Sequence, residues 1–119
     1  EIITKTIPGI SSISAAAALN DFDLVKKGET LIIKECPSNQ KELVDLINFN
    51  REKKTILVLM KVGKRWGWVK NLLKKEDIAS KSLIALNVGM PGQIVEEVSK
   101  FDLQEVPYFS VLFIRFDHE

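Results

Sequence analysis

Four short stretches hold the residues best suited to touch a ligand, and each also has an ordinary structural explanation. The first is Ile7-Pro8-Gly9-Ile10-Ser11-Ser12. Gly9 permits close approach, and the serine hydroxyls with the free amides of a helix start can meet a carboxylate or a ribose. On pattern alone, a capped helix start explains it better than a binding site. The second is Met60-Lys61-Val62-Gly63, at the end of the most apolar run of the chain. The Met60 thioether can lie against an adenine or another thioether, although on pattern alone it reads more readily as core. The third, Asn87-Val88-Gly89-Met90-Pro91-Gly92, suits a plain tight turn and a binding loop equally well. In the fourth, Pro107-Tyr108-Phe109-Ser110, the aromatics fit a core more readily than a contact with a flat ring.

Other chemistries lack their residues. There is no GxGxxG or GxxxxGK phosphate loop and no pair of carboxylates within a loop. Cys36 is the single cysteine, so an internal disulfide is excluded and a reducing, cytoplasmic compartment fits best. His118 is the single histidine, too isolated for a metal cluster and too far along the chain from Cys36 to support a Cys–His nucleophile. The expectation is therefore no catalytic side chain and no metal ligand. Net charge is +1, and the basic pairs Lys26-Lys27, Lys53-Lys54, Lys64-Arg65 and Lys74-Lys75 are scattered among acids. They read as solvated surface rather than a nucleic-acid interface. No apolar run approaches the roughly 20 residues of a membrane span, and the start lacks the pattern of a signal peptide.

The elements that must position these stretches follow from periodicity. Glu1–Ile7 reads as a strand or the tail of one, ended by Pro8-Gly9, with a helix from Ser11 to about Asn20. Thr30–Lys34 is a strand; Asn39 and Glu42 form a capping-box pattern before a helix with Leu43, Val44, Leu46 and Ile47 on one stripe, ending near Arg51. Thr55–Val62 is apolar on both faces, as a central strand covered on both sides must be. A helix over about Arg65–Lys75 points Trp66, Val69, Leu72 and Leu73 inward, and Ser82–Val88 is another strand. Gln93–Val98 fits a short strand or a helical turn, and Tyr108–Phe116 closes the chain as a strand. Helices alternate with buried strands, and the last two strands have no clear helix between them. The class is α/β, a three-layer domain with a mixed, partly antiparallel sheet flanked by helices. In open sheets of this class, ligands sit beyond the strand ends, where the four stretches fall.

Pro8-Gly9-Ile10-Ser11-Ser12 followed by Ser14-Ala15-Ala16-Ala17-Ala18, Leu57-Val58-Leu59-Met60-Lys61-Val62, Gly89-Met90-Pro91 and Pro107-Tyr108-Phe109-Ser110 stand in the order of comparable segments of the tetrapyrrole methylase family, which the chain resembles from about Ile2 to Arg115. Lys61, where many branches carry glycine, together with Gly-Met-Pro and Tyr-Phe-Ser, points the resemblance to the precorrin-2 branch. The resemblance implies S-adenosylmethionine as methyl donor, bound between two domains, with a tetrapyrrole substrate in a neighbouring trough and a homodimeric assembly. By position it implies that Ser11, Ser12, Met60, Gly89 and Ser110 bind the cofactor. Residues 1–119 then correspond to the family's C-terminal domain, with the N-terminal domain absent. Glu1 opens on an extended apolar segment, which fits the expectation of a cut chain. Two other readings stay open: a binding or dimerisation module, inert alone, and an unrelated α/β nucleotide binder.

Overall fold

The structure, a computed structural model, describes residues 30–88 and 90–116. The expected first strand and first helix, together with Ser11, Ser12 and Gly89, lie outside the described residues. The described elements in chain order are β1 (Thr30–Glu35), α1 (Gln40–Asn50), β2 (Thr55–Met60), α2 (Trp66–Lys75), β3 (Ser82–Leu86), β4 (Ile94–Glu97) and β5 (Val111–Phe116). The strands form one mixed sheet in the order β1-β2-β5-β3-β4. β1 and β2 are parallel; β5 runs against both β2 and β3, and β4 runs against β3. The α/β class with a mixed sheet is therefore as expected. The closing strands differ in one respect: β4 and β5 do not pair with each other, because β3 lies between them.

Local chemistry explains the helices. Asn39 has extended backbone, and its side-chain oxygen accepts the Glu42 amide at 2.9 Å, a cap that contributes about 1 kcal/mol. Leu43 and Ile47, one turn apart, are fully buried, and Val44 and Leu46 pack at the margin of the same core. In α2, Trp66, Val69, Leu72 and Leu73 are buried. The helix stops where Asp77 turns left-handed (φ 63°), with the Ile78 amide donating to Leu73 O and the Asp77 amide to Lys74 O. That double bond pattern satisfies the last carbonyls of the helix. An Arg51–Glu76 ion pair at 2.7 Å joins the C-terminal ends of α1 and α2.

Crossovers β1-α1-β2 and β2-α2-β3 step across the sheet in the same direction, so the right-handed rule for such connections puts both helices on one face. The core agrees. Leu57, Leu59, Leu112, Ile114, Ile84 and Leu86 meet the buried residues of α1 and α2 in one cluster. The alternate residues Ile56, Val58, Phe113, Leu83, Ala85 and Val111 form a second cluster on the opposite face. From Ile56 to Leu59 both faces of β2 are fully inaccessible, as its unbroken apolar run demands. β1 is less covered: Leu31, Ile32 and Ile33 are only half-buried, consistent with a place at the end of the described sheet.

Strand ends fall short of the sequence expectations for backbone reasons. β2 stops at Met60 because Lys61 takes a left-handed conformation (φ 59°) and Val62 begins a helical turn. β3 stops at Leu86 because Asn87 does the same (φ 54°). Of the two alternatives for Gln93–Val98 the strand holds, as β4, and a 3-10 turn over Val98–Lys100 follows it. β5 begins at Val111 rather than Tyr108, since Pro107–Ser110 is a turn closed by the Ser110 amide on Pro107 O at 3.1 Å. Tyr108 and Phe109 are 58% and 69% exposed, contrary to the core placement favoured for them by pattern.

Gly63 is needed for two reasons: its φ is 41°, and an added Cβ would lie 3.1 Å from Tyr108 Cα and 3.3 Å from its carbonyl oxygen. Gly67, on α2, has open space where a Cβ would stand. The expected outcome in urea unfolding is that Gly63→Ala destabilises by ~1–3 kcal/mol, whereas Gly67→Ala is neutral or stabilises by up to ~1 kcal/mol. Equal effects of the two substitutions would contradict this assignment.

Candidate functional site

β1, β2 and β3 point the same way, and β4 and β5 run against them, so three strand C-termini and two strand N-termini meet at a single rim. Glu35 pairs with Met60 in the β1–β2 ladder. Leu59 pairs with Leu112 and Leu112 with Ile84, which carries one row across β5 to β3, and the next pair toward the rim is Val111 with Ala85. The rim thus brings together the Met60–Gly63 segment, the loop leaving β3 at Asn87 and the Pro107–Ser110 turn. Three of the four stretches singled out by residue type therefore share one edge of the sheet; the Pro8–Ser12 stretch lies outside the described residues.

Met60 is half-buried, packed against the second core cluster at the last position of β2. Its carbonyl accepts the Cys36 amide at 2.8 Å, which fixes the path of both chains as they leave the sheet. Ser110 is completely buried. Its hydroxyl donates to Pro107 O at 2.7 Å, and its carbonyl accepts the Val62 amide at 3.1 Å. In this arrangement Ser110 ties the β5 turn to the end of β2. The loop after β3 is closed by the Met90 amide on Asn87 O at 3.0 Å and by Asn87 Nδ2 on Gly92 O at 3.3 Å. Gly92, at φ 84°, supplies the left-handed turn that the second of these bonds spans.

Around these residues the rim is apolar and open. Met90, Ile94, Tyr108 and Phe109 are all exposed, and the Tyr108 and Phe109 rings meet edge to face with centroids 4.7 Å apart. Exposed aromatic and thioether surface at a strand-end edge is suited to a flat, apolar ligand.

Beside Met60 the character changes. Glu35, Lys61, Val62, Lys64, Arg65 and Tyr108 line a cleft of about 230 Å³. Lys61 Nζ donates to Glu35 Oε2 at 3.0 Å; this bond, with the carboxylate's charge, holds the ammonium above the usual lysine value. Arg65 Nη1 donates to Cys36 O at 2.6 Å. Residue pattern alone places Lys64-Arg65 on solvated surface and gives the side chains of Lys61 and Glu35 no role in a site. The available signal was three cations within five residues immediately after the end of a central strand.

Two larger clefts reach the strand ends, one at Lys34 and Glu35 where β1 closes and one at Gly63 and Lys64 just after β2. The first, of about 510 Å³, runs between β1 and α1, lined by Glu35, Pro37, Asp45, Leu46 and Phe49 among others. Its position beside α1 separates it from the three converging stretches, and its greater size does not outweigh that. Among the described residues no group of three His, Cys, Asp or Glu side chains stands close enough to hold a metal, and no helix is long and apolar enough to cross a membrane.

An α/β domain with a mixed sheet and a ligand-suited C-terminal rim is the class that fold and site define. Residues 1–104 match the family described as Tetrapyrrole (Corrin/Porphyrin) Methylases, and the chain belongs to that family. It is also similar to a cobalt-precorrin-2 C(20)-methyltransferase from Salmonella typhimurium (strain LT2), with 27% identity over 115 residues. That alignment takes in 93% of this chain and 46% of the relative, so the chain spans about half the relative's length.

Cys36 gives the rim a pH signature. It is 3% exposed, and burial pushes its thiol from 9.0 up to about 11, against the opposing charge and hydrogen bond of Arg65. Between those values the folded chain retains a proton that the unfolded chain has lost, so stability falls as pH rises through the window. In urea unfolding from pH 9 to 11, the wild type is expected to lose more stability than Cys36→Ala. Identical pH slopes would show that the thiol contributes nothing to the loss.

Proposed function

We propose that this chain supplies the C-terminal half of the S-adenosylmethionine site of a methyltransferase acting on a precorrin-type tetrapyrrole in cobalamin biosynthesis. The single observation that carries the reading is the convergence of Met60, the Asn87–Gly92 loop and the Pro107–Ser110 turn at one rim of the sheet. Membership of the tetrapyrrole methylase family and similarity to a cobalt-precorrin-2 C(20)-methyltransferase support it.

The residues present fit the cofactor's chemistry. Met60 offers a polarisable thioether at the strand end, and the exposed Tyr108–Phe109 pair and Met90 offer apolar contact for a planar base. On this reading Met60 and the buried Ser110 turn form part of the cofactor wall, and Ser11, Ser12 and Gly89 contribute the remainder. S-adenosylmethionine, when bound, supplies an electrophilic methyl group on a sulfonium. The chain's own share of the work is to bind, to align and to keep water away from the transfer; such a reaction does not require an acid–base pair from the protein. The complete enzyme is proposed to be a cytoplasmic homodimer with an N-terminal domain that covers the rim.

An open rim also favours a second statement, that the 119-residue chain is inert in isolation. With Phe109 69% and Tyr108 58% exposed, half a site cannot enclose a ligand, and enclosure supplies most of the affinity of such sites.

The test is methyl transfer by the complete gene product from radiolabelled S-adenosylmethionine to precorrin-2, with Met60→Ala alongside. The expected results are label in the tetrapyrrole and a loss of S-adenosylhomocysteine affinity on the order of fivefold or more in the variant. Absence of transfer to any tetrapyrrole would overturn the activity. Unchanged affinity in Met60→Ala would remove Met60 from the cofactor wall, and tight cofactor binding by the isolated chain would contradict its inertness.

A further inference from the structure

We propose that Lys61, Lys64 and Arg65 form a carboxylate-binding cleft that grips an acid side chain of the tetrapyrrole; the proposal rests on the methyltransferase reading above. The cleft holds three cations against the single carboxylate of Glu35, a formal excess of positive charge beside an otherwise apolar rim. Its volume of about 230 Å³ admits an acetate or propionate group but not a macrocycle.

The cations are held in place. Lys61 leaves the sheet in a left-handed conformation, φ 59°, that a non-glycine residue rarely takes, and Glu35 on the neighbouring strand holds its ammonium at 3.0 Å. Arg65 is fixed through one nitrogen, Nη1, which donates to Cys36 O. Its guanidinium also hydrogen-bonds the Cys36 thiol, and with five N–H donors it has more than these two bonds engage. Lys64 is exposed, has no acidic partner among the described residues, and also lines the adjoining cleft of about 340 Å³ with Gln104 and Glu105. Tyr108 forms the remaining wall because Gly63 lets its backbone settle on the turn between Val62 and Lys64.

A carboxylate has two possible sources in this reaction. S-adenosylmethionine carries one, yet its neighbouring ammonium and its sulfonium are both positive, and a cleft with excess positive charge opposes them. Precorrin-type tetrapyrroles carry several acetate and propionate groups around the ring and no compensating cation. Because Lys61 directly follows Met60, an acid group held here would anchor the ring's edge next to the cofactor wall. Lys61, Lys64 and Arg65 would thereby fix which edge of the macrocycle is presented.

The test uses the complete gene product and two ligands measured separately at equilibrium: sirohydrochlorin, a stable polycarboxylate analogue of precorrin-2, and S-adenosylhomocysteine. Lys64→Gln is an exposed substitution, and Lys61→Gln removes the second charge; tryptophan fluorescence checks that each variant is folded. Each variant is expected to bind sirohydrochlorin roughly three- to tenfold more weakly, with added salt narrowing the gap to wild type, while S-adenosylhomocysteine affinity stays within about twofold. Unchanged sirohydrochlorin affinity in both folded variants overturns the cleft, and so does a loss confined to S-adenosylhomocysteine. If methyl transfer by the wild type persists in either case, the failure belongs to the cleft alone; if the wild type transfers no methyl group, the reading beneath it fails as well.

Discussion

Leu57 and Ile114, paired at the centre of the β2–β5 ladder and both fully buried, belong to the pairing that the remaining geometry depends on. That ladder is antiparallel, and so is the one joining β5 to β3. β5 is thereby inserted, reversed, between two strands that share a direction. The N-terminal end of β5 has to arrive where β2 and β3 end, and the side-chain alternation of a strand then fixes which residues face each layer. A slip of one residue would exchange Leu112 and Ile114, which meet the helices, with Val111 and Phe113, which face the other way. The same slip would disturb the Val62–Ser110 bond. Core and rim are consequently set by one register.

Much of this was legible in the residues. The Asn39 cap, the Leu43–Ile47 stripe and the inward face of α2 follow from helical spacing and cap chemistry, and the structure contains each of them. β2 announces itself by an apolar run too continuous for a strand with one wet face. Partial antiparallel character was also readable, from the lack of a helix before the last strand. What was not legible is governed by contacts distant in sequence. Nothing local marks Lys61 as left-handed, and its partner Glu35 is met only after the chain turns, whereas Asn87 is of a residue type that takes this conformation readily. Tyr108 and Phe109 look like core because aromatics usually are, yet the turn at Pro107–Ser110 holds them outside the sheet.

The candidate site was legible in part for a related reason. Met60 and Ser110 stand out by their positions at the ends of apolar runs, and the sheet does bring them to one edge. The charged cleft beside them was hidden because Glu35 and Arg65 are far apart in sequence and meet Lys61 through the parallel β1–β2 pairing and the Arg65–Cys36 bond. The resulting rim has two characters: an apolar stretch with Met60, Met90, Tyr108 and Phe109, and a cationic corner. A transfer between a flat adenosyl cofactor and a polyanionic ring calls for both in close proximity.

On the proposed reading, this rim is the wall of an adenosyl site. That placement is tested most directly by a crystal structure of the complete gene product with S-adenosylhomocysteine. The adenosyl group is expected against Met60, between the Asn87–Gly92 loop and the Pro107–Ser110 turn. An adenosyl group seated elsewhere, for example between β1 and α1 near Phe49, with the rim untouched, would contradict it.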